Sequence, residues 1–517
     1  MATLSVLVIL LSSSLCLYFL SNLFKFLDSV WWTPIRIQHL MTSQGIRGPS
    51  YRFIYGNTQE IIKMRNESMS TSMQDLSHNI FSRIQPHIHS WTKTYGTNFL
   101  YWDGPRAQLL VSEPELIREI LNNRDKIYRK SEFVAFTRKL LGDGTFTSEG
   151  EKWSKLRKLA NYAFHAESLK HMIPAMITSV EMMLERWKKH QGEEIEVVEE
   201  FRLLTSEVIS RAAFGSSYVQ GKNIFDMLTK LSMLLSRNIF KVKQIGLISK
   251  IWKSRDEIEA DKLEKQLENS ILEIIKKRED EVMNGEVENF RNDFLGILLK
   301  AKHGDDDSKR ISLREVIDEC KTFYIAGQET SNTLLCWVVL LLATHSDWQE
   351  EARNEVFKIL GNKTPTADGI AKLKKMGMII NETLRLYPPV VVFSRKADRE
   401  AQLGKLTLPV DINLHISTLS IHHDPVTWGD DVHLFKPERF SEGLAKATNN
   451  NKAIYMPFGF GPRTCVGLNF AITEAKIALS MILQQYSITL SPTYVHSPVE
   501  HLTIRPQYGI QVVLNKV

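Results

Sequence analysis

The sequence predicts a mostly helical protein with a small β portion, a single domain that follows an N-terminal membrane-spanning helix. Three observations carry this prediction. The first 24 residues contain no charged side chain. Long segments with helical apolar periodicity and few prolines run from about residue 113 to about residue 390. Short strand-like runs dominate after residue 390.

The composition is that of a globular protein with a large core. The chain has 517 residues, of which 43% are hydrophobic and 24% are charged. Its four cysteines include no C-x-x-C pair, which excludes a disulfide framework and the common zinc motifs. A net charge of +6 without a dense Lys/Arg run gives little support for nucleic-acid binding, so we expect no nucleic-acid partner.

The apolar N-terminal segment is long enough for a membrane anchor. As a helix, 24 residues span ~36 Å, whereas the hydrocarbon core of a bilayer is about 30 Å thick. The alternative is a cleaved signal peptide, but a basic start is missing and the apolar stretch exceeds roughly 15 residues. Positive charges follow at Lys25, Arg36 and Arg47. The positive-inside rule therefore predicts a single-pass protein with the bulk of the chain in the cytoplasm.

These features divide the chain into three expected parts. We expect an anchor over residues 1–28, a stiff connector over 29–50 built around Gly45–Pro49, and one catalytic domain over 51–517.

The pattern within the domain signals a hairpin and two capped helices. Apolar runs at 99–102 and 109–112 flank a Gly-Pro pair and predict a β-hairpin. Ser312 and Glu315 form a capping box ahead of an apolar helical pattern that runs to Ala343. Ser346 with Gln349 predicts a similar cap for the next helix.

A glycine-rich cysteine segment carries the strongest chemical signal. Residues 458–467 read FGFGPRTCVG. Glycines permit a tight loop whose backbone N–H groups turn toward one sulfur, which favours a thiolate at Cys465. Arg463 can pair with an anionic group. The alternative is a structural cysteine in a glycine-rich turn.

The ten residues match F-x-x-G-x-R-x-C-x-G and resemble the cysteine-ligand loop of the cytochrome P450 family, the haem-thiolate monooxygenases. The resemblance implies the fold of that family and haem b as the cofactor. It implies that Cys465 is the axial ligand of the haem iron, that Phe458 belongs to the cofactor-binding loop, and that Arg463 faces a haem propionate.

A second segment resembles the oxygen-binding motif of the same family. Residues 326–331 read AGQETS and lie midway along the predicted long helix. The resemblance implies that Gly327 leaves room for dioxygen, while Glu329 and Thr330 form an acid–alcohol pair that relays protons to reduced oxygen. The alternatives are a Thr330 hydroxyl bonded to its own helical turn and a solvated Glu329.

Glu382 and Arg385 match the E-x-x-R motif of the family. The spacing alone is uninformative, because Glu115 and Arg118 share it. The trailing LYPP and the later PERF at 437–440 select the first pair. By resemblance, Arg439 completes a buried Glu-Arg-Arg network that supports the haem loop.

Three further residues match the positions of propionate ligands in the family. Trp153 and Arg157 lie one helical turn apart, so both can face the same haem edge. Arg395 lies six residues beyond Pro389, where many members place another such ligand. A chance Trp/Arg pair is the alternative to the first assignment.

The resemblance implies an oxidoreductase that inserts one oxygen atom from O2 into a lipophilic small molecule. The chain has no Rossmann G-x-G-x-x-G and no flavin domain, so we expect NADPH electrons to arrive through a separate flavoprotein reductase. The connector and the LYPP run resemble the plant branch that oxidises terpenoids and hormones, in plant secondary metabolism at the endoplasmic reticulum membrane. A segment at Ile239–Trp252 is a candidate second contact with membrane lipid.

Two other functions remain open from the sequence. One is a haem-thiolate isomerase or dehydratase, although such relatives typically lose the Glu-Thr pair. The other is a non-enzymatic membrane haem sensor, which would leave Gly327 and Thr330 unexplained.

Overall fold

The computed structural model describes residues 2–131, 133, 135–238, 253–306 and 310–517. The predicted second membrane contact, Ile239–Trp252, lies outside these described residues. The chain forms two compact units, each assembled from separate stretches. The first comprises Met1–Ser68, Gln85–Ser131 and Ser394–Ser417, and the second comprises Met69–Ile84, Glu132–Phe393 and Thr418–Val517.

Helices dominate the described residues, and the predicted fold class is confirmed. In chain order the helices are α1 (Ala2–Leu27), α2 (Thr33–Ser43), α3 (Thr58–Met69), α4 (Phe81–Ile84), α5 (Pro86–Tyr95), α6 (Pro114–Asn122), α7 (Ala135–Leu141), α8 (Gly150–Ala163), α9 (Ala166–Trp187), α10 (Val197–Phe214), α11 (Tyr218–Asn238), α12 (Arg255–Met283), α13 (Phe294–His303), α14 (Leu313–Thr344), α15 (Ser346–Leu360), α16 (Ala367–Lys372), α17 (Lys374–Leu386), α18 (Thr418–His422), α19 (Pro425–Trp428), α20 (Leu444–Ala447) and α21 (Leu468–Leu483).

The strands are short and form small sheets. They are β1 (Phe99–Asp103), β2 (Arg106–Leu110), β3 (Tyr128–Lys130), β4 (Glu194–Glu196), β5 (Val392–Ala397), β6 (Ala401–Leu403), β7 (Leu406–Leu408), β8 (Asn413–Ser417), β9 (Tyr486–Leu490), β10 (Pro498–Glu500), β11 (Ile504–Pro506) and β12 (Gln511–Lys516).

The largest sheet, with strand order β1-β2-β8-β5-β3, belongs mainly to the first unit. Strands β1 and β2 pair antiparallel with Phe99 opposite Leu110, so the predicted hairpin is confirmed. Strand β2 pairs parallel with β8. In the second unit, β4-β12-β9 form a three-stranded antiparallel sheet, and β10 and β11 form a hairpin.

The connector packs directly on this sheet. The Leu100 amide donates to the Arg47 carbonyl at 2.9 Å. A Cβ at Gly48 would lie 1.7 Å from the Leu100 carbonyl oxygen, so no larger residue fits without moving the backbone.

The N-terminal helix has the length and composition of a membrane span. A continuous helical stretch, Leu4–Ser43, has a mean hydropathy of 2.2 in its most apolar window, and none of that window is buried. Within it, Asp28–Trp32 forms one π-helical turn between α1 and α2. Helix α14 is also apolar enough, but 83% of its most apolar window is buried, which is typical of a core helix.

Helix α14 begins as its sequence predicts, whereas α15 does not. The Glu315 amide donates to Ser312 Oγ at 3.2 Å, and the Ser312 amide donates to Glu315 Oε2 at 2.8 Å. The predicted cap by Ser346 and Gln349 is wrong, because Ser346 is already the first helical residue. The side-chain amide of Gln349 instead donates to two buried acceptors, the backbone carbonyls of Leu342 at 2.9 Å and Ile488 at 2.8 Å.

Candidate functional site

The cysteine loop is closed by its own backbone. The Cys465 amide donates to the Phe458 carbonyl at 2.8 Å. Gly459 and Gly461 both have φ of +75°, a conformation that side chains rarely adopt. The loop leads directly into α21, and a Cβ built on Gly467 would lie 3.9 Å from Cys465 Sγ.

The Cys465 thiol faces a space inside the protein. Burial raises the pKa of Cys465, while the Gly467 amide and the charge of Arg157 lower that pKa. The same side chain is nevertheless exposed. Dense surroundings and an exposed surface coexist only where a side chain borders an internal cavity or cleft. Two groups beside the sulfur thus favour its thiolate form.

Three of the predicted cofactor residues meet beside this loop. The Arg463 guanidinium lies 4.4 Å from the centre of the Trp153 ring, a cation–π contact. Its Nη2 pairs with Glu149 Oε2 at 2.6 Å and donates to the Ser148 carbonyl at 3.0 Å. The sequence did not predict either contact. Arg157 is half-buried on the same helix, α8, and its Nε donates to Asn161 Oδ1 at 2.9 Å.

Arg395 belongs to the other unit. It lies on β5, opposite Lys130 of β3, and its Nη1 donates to the Ser394 carbonyl at 2.9 Å. Its assignment to a propionate stays a prediction.

Helix α14 is buried except on one short face. Every residue from Val316 to Leu342 is buried apart from Ala326, Gly327 and Thr330. These positions are i, i+1 and i+4 and therefore share one side of the helix. A buried helix with one exposed turn at its middle borders an internal space, as Cys465 does.

The absence of a side chain at Gly327 serves helix packing. A Cβ there would lie 2.7 Å from Cδ1 of Ile209 on α10. The predicted role, room for dioxygen, is not the one that this geometry supports. Its contribution to catalysis stays a prediction.

The Thr330 hydroxyl donates to the Ala326 carbonyl at 2.7 Å, within its own helical turn. This bond is the alternative that the sequence left open. The bond uses only the donor of the hydroxyl, so the oxygen keeps acceptor capacity on the exposed face.

Glu329 is held by a hairpin that the sequence did not connect with it. Its carboxylate pairs with Arg505 through two nitrogens, with Nε to Oε1 at 2.7 Å and a second contact from Nη2 to Oε2. Thr503 Oγ1 donates to Oε1 at 2.6 Å, and Thr333 Oγ1 donates to Thr503 Oγ1 at 2.8 Å. The Glu329 side chain is 1% exposed and that of Arg505 is 27% exposed. Arg505 therefore lies between the buried carboxylate and the surface.

A second buried carboxyl lies near this turn. Glu474 on α21 is buried, and burial raises its pKa to about 8, with a smaller opposing effect from the Ser331 hydroxyl. The carboxyl is therefore mainly neutral at pH 7. No sequence motif pointed to it.

The E-x-x-R pair forms a fully buried ion pair. Arg385 binds Glu382 through Nε at 2.8 Å and Nη2 at 2.7 Å, and both side chains are 0% exposed. Arg385 Nη1 also donates to the His422 carbonyl at 3.0 Å. Arg439 Nε lies 3.4 Å from Glu382 Oε1, and its two other nitrogens donate to the carbonyls of Trp428 and Asp431 at 2.8 Å. These distances match the predicted three-residue network.

This donor set fits the predicted haem. A thiol facing an internal space offers an axial ligand, and two guanidinium groups and one indole lie close to it for anionic propionates.

Breaking the buried pair should destabilise the fold strongly. We expect Glu382→Gln to lower the free energy of unfolding by about 3–5 kcal/mol, because Arg385 would stay buried without its counter-charge. The matched control is Glu115→Gln, which breaks the exposed pair with Arg118 at 3.1 Å. That change should cost about 0–1 kcal/mol. Chemical denaturation of both variants checks this, and equal stabilities would contradict it.

Glu474 should make stability depend on pH. Its pKa is raised on folding, so its favourable effect is present at low pH and is lost as the pH rises through about 8. Glu474→Gln imitates the neutral acid. Relative to the wild type, the free energy of unfolding of the variant should therefore rise by at most about 1.4 kcal/mol per pH unit between pH 5.5 and 8. Melting curves at the two pH values measure this gain; parallel curves for the two proteins would refute it.

Comparison with known proteins identifies the family. A sequence model described as Cytochrome P450 matches residues 68–514. The chain is 60% identical over 505 residues to cytochrome P450 CYP749A22 of Panax ginseng, covering 98% of this chain and 96% of the relative. It is 38% identical over 514 residues to the 7-deoxyloganic acid hydroxylase of Catharanthus roseus, with 98% and 97% covered.

The 11-oxo-beta-amyrin 30-oxidase of Medicago truncatula is 39% identical over 507 residues, with 95% of each chain covered. These relatives cover 95–98% of the chain, and the family model covers residues 68–514. The chain thus belongs to the plant branch of the cytochrome P450 family and is a monooxygenase.

Proposed function

We propose that this monooxygenase inserts one oxygen atom from O2 into a bulky lipophilic terpenoid or hormone-like molecule. Electrons come from NADPH through a separate flavoprotein reductase. The observation that carries the proposal is the Cys465 thiol, which faces an internal space. The cationic side chains of Arg157 and Arg463 and the indole of Trp153 lie beside it.

Cys465 would hold haem b through its thiolate, and the haem would supply the activation of dioxygen. Gly467 N–H and Arg157 would oppose the effect of burial and help to stabilise the anionic sulfur. Arg463 would be oriented for a propionate by its stacking on Trp153. Arg395 is proposed as a further propionate ligand on the basis of its sequence position alone.

Thr330 and Glu329 of α14 would take part in proton transfer. The Thr330 hydroxyl can accept a hydrogen bond from a water molecule or substrate group while it donates to Ala326. Glu329 would exchange protons toward Thr330, and Arg505 would hold the carboxylate and connect it with the surface. Glu382, Arg385 and Arg439 would act structurally, by stabilising the part of the unit that carries the cysteine loop.

Two relatives support the proposed substrate class. They are named as a hydroxylase of 7-deoxyloganic acid and an oxidase of 11-oxo-beta-amyrin, both terpenoids. We propose that the pocket is lined by the segment before Trp153, by the middle of α14 and by residues 390–393. The apolar side chains of residues 390–393 and of Phe146, Phe323 and Ile325 suit a hydrophobic ligand.

We propose the endoplasmic reticulum membrane as the location. Residues 1–28 would be the anchor, 29–50 the connector and 51–517 the catalytic domain on the cytoplasmic side. The exposed apolar surface of α1 and the basic residues that follow it support this arrangement.

The Cys465→Ser variant tests the axial ligand. We expect the reduced carbon-monoxide complex of the wild type to show the red-shifted Soret band of thiolate-ligated haem, and the variant to lack it, because a hydroxyl is a much weaker donor than a thiolate. Cys320→Ser, at a buried cysteine on α14, is the matched control and should keep the band. Retention of the band in the first variant would refute the ligand assignment.

Thr330→Ala tests the proton path. Haem, thiolate and pocket should stay intact, while electrons are diverted from product into hydrogen peroxide. General acid–base assistance is typically worth ~10²–10⁴-fold, so product formed per NADPH should fall clearly. Product, peroxide and NADPH are measured together with the reductase.

The matched control is Thr344→Ala, which removes a hydroxyl with the same bond to its own helix, 3.0 Å to the Leu340 carbonyl. It should leave coupling unchanged. Normal coupling in Thr330→Ala would remove this residue from the proton path, and loss of haem would mean that its role is structural. Absence of substrate-dependent NADPH oxidation with the reductase, for every lipophilic compound tried, would favour the sensor or the isomerase.

Removal of residues 1–28 tests the anchor. The shortened protein should move largely to the soluble fraction and keep its haem. An unrelated membrane-spanning helix in place of α1 should restore the membrane fraction. Secretion of a processed full-length product would mean instead that this segment is a signal peptide.

A further inference from the structure

A glycine-rich loop is seated on one turn of α14, on the N-terminal side of Ala326 and Gly327. The loop comprises residues 142–148, between α7 and α8. A Cβ at Gly142 would lie 2.7 Å from Asp318 Cα, and one at Gly144 would lie 2.6 Å from Glu319 Oε1. Thr322 Oγ1 donates to the Leu141 carbonyl at 2.6 Å. The loop and the helix are thus in contact along one whole helical turn.

A single buried carboxyl is the centre of this contact. Glu319 is 0% exposed, and both of its oxygens meet the same residue of the 142–148 loop. Oε1 is in contact with the Thr145 amide, which donates to it, and Oε2 lies 2.9 Å from Thr145 Oγ1. The mechanism proposed above uses neither side chain.

The far end of the loop reaches the cofactor residues. The Ser148 carbonyl accepts from Arg463, and Glu149 pairs with the same guanidinium. Within the loop, Phe146 is exposed, whereas Gly144, Thr145, Thr147 and Ser148 are buried. A shift of the 142–148 loop would therefore move both an exposed aromatic ring and the partners of Arg463.

We propose that Glu319 is a positioning residue that latches the 142–148 loop onto α14, and that the latch is closed when its carboxyl is neutral and released when it ionises. The inference rests on the proposed function only for the identity of the molecule that Phe146 would contact. Thr145 Oγ1 donates to Oε2 in the structure. A neutral acid keeps both contacts, because rotation of the hydroxyl lets an Oε2 proton be donated to Thr145 Oγ1 while Oε1 still accepts from the Thr145 amide.

Burial and the neighbouring groups together set the protonation state of Glu319. Burial raises the pKa of Glu319 to about 7; its bonds from Thr145 and the charge of Lys152 lower that pKa, and Asp318 raises it. Lys152 is itself paired with Asp143 of the loop at 2.8 Å.

The other charged side chains near this turn form ion pairs with one another. Asp318 lies 3.4 Å from Arg314, and Lys321 pairs with Glu264 at 3.1 Å and Glu268 at 2.7 Å, both on α12. Cys320 is buried and its pKa is raised, mainly by burial, so its thiol stays neutral. Among these groups, Lys152 remains as the nearby cation that favours an ionised Glu319.

The direction of the pH effect follows from the burial. Lifting the loop would admit water to Glu319 and return its pKa toward the ordinary value of 4.5. The closed loop therefore binds the proton more tightly than the open loop does. Its stabilisation is complete below the ordinary pKa and is lost as the pH rises through about 7.

Hydrogen exchange of the full-length holoenzyme measures the latch directly. The observable is the amide protection of the peptide over residues 142–149, followed by mass spectrometry and corrected for intrinsic exchange. Each unit of pKa difference between closed and open loop changes the opening equilibrium about tenfold. We expect protection in the wild type to fall at least about tenfold from pH 5.5 to 8.5.

Glu319→Gln should keep the loop protected across the whole range, because the amide repeats the bonding of the neutral acid. Glu474→Gln is the matched control: it neutralises another buried carboxyl with a raised pKa, remote in sequence from the loop, and should leave the pH dependence as in the wild type. Thr145→Val removes the hydroxyl partner and should lower protection at pH 5.5.

Flat protection in the wild type would overturn the proposal, as would a Glu319→Gln variant that loses protection in parallel with the wild type. If Glu319→Gln does not fold, the wild-type titration and Thr145→Val still decide. None of these readouts needs turnover, so a failed monooxygenase assay would leave the test of the latch intact.

Discussion

A helix that is buried along nearly its whole length must find partners for every polar side chain it carries, and α14 carries many. An unpaired buried polar group costs about 1–3 kcal/mol and an unpaired buried charge costs more. For three of its buried ionisable side chains the helix meets this constraint by contact with remote segments of the chain: the hairpin of Arg505 with Glu329, the loop of Thr145 with Glu319, and α12 with Lys321. The site is assembled by these pairings.

The same constraint explains where the chemistry is located. Between Val316 and Leu342 the helix is buried except at Ala326, Gly327 and Thr330, so a ligand can approach this part of it only there. The Cys465 sulfur likewise faces an internal space from within dense surroundings. A low-dielectric interior strengthens the electrostatic effect of the few charged groups that border it. Buried partners such as Arg505 for Glu329 thus matter for function as well as for stability.

Short-range patterns made the sequence informative. The loop around Cys465, the capping box of α14, the hairpin at β1 and β2, and the Glu382–Arg385 pair each depend on residues a few positions apart, and the structure contains all four. The partners of Glu329 are about 175 residues away and lie in no motif, so no spacing rule could find them. The predicted cap at Ser346 failed because a buried carbonyl competed for Gln349. The position of Gly327 was predicted, but its packing against Ile209 needed the tertiary structure.

The central claim is that Cys465 binds the haem iron through its sulfur. The most direct test is resonance Raman spectroscopy of the ferric enzyme labelled with heavy-isotope sulfur in cysteine, in a chain where Cys16, Cys320 and Cys336 are replaced by alanine. An iron–sulfur band that shifts on labelling is the result this account predicts, because Cys465 is then the one cysteine left. A spectrum without any sulfur-sensitive band, in a protein that still holds haem, would contradict it.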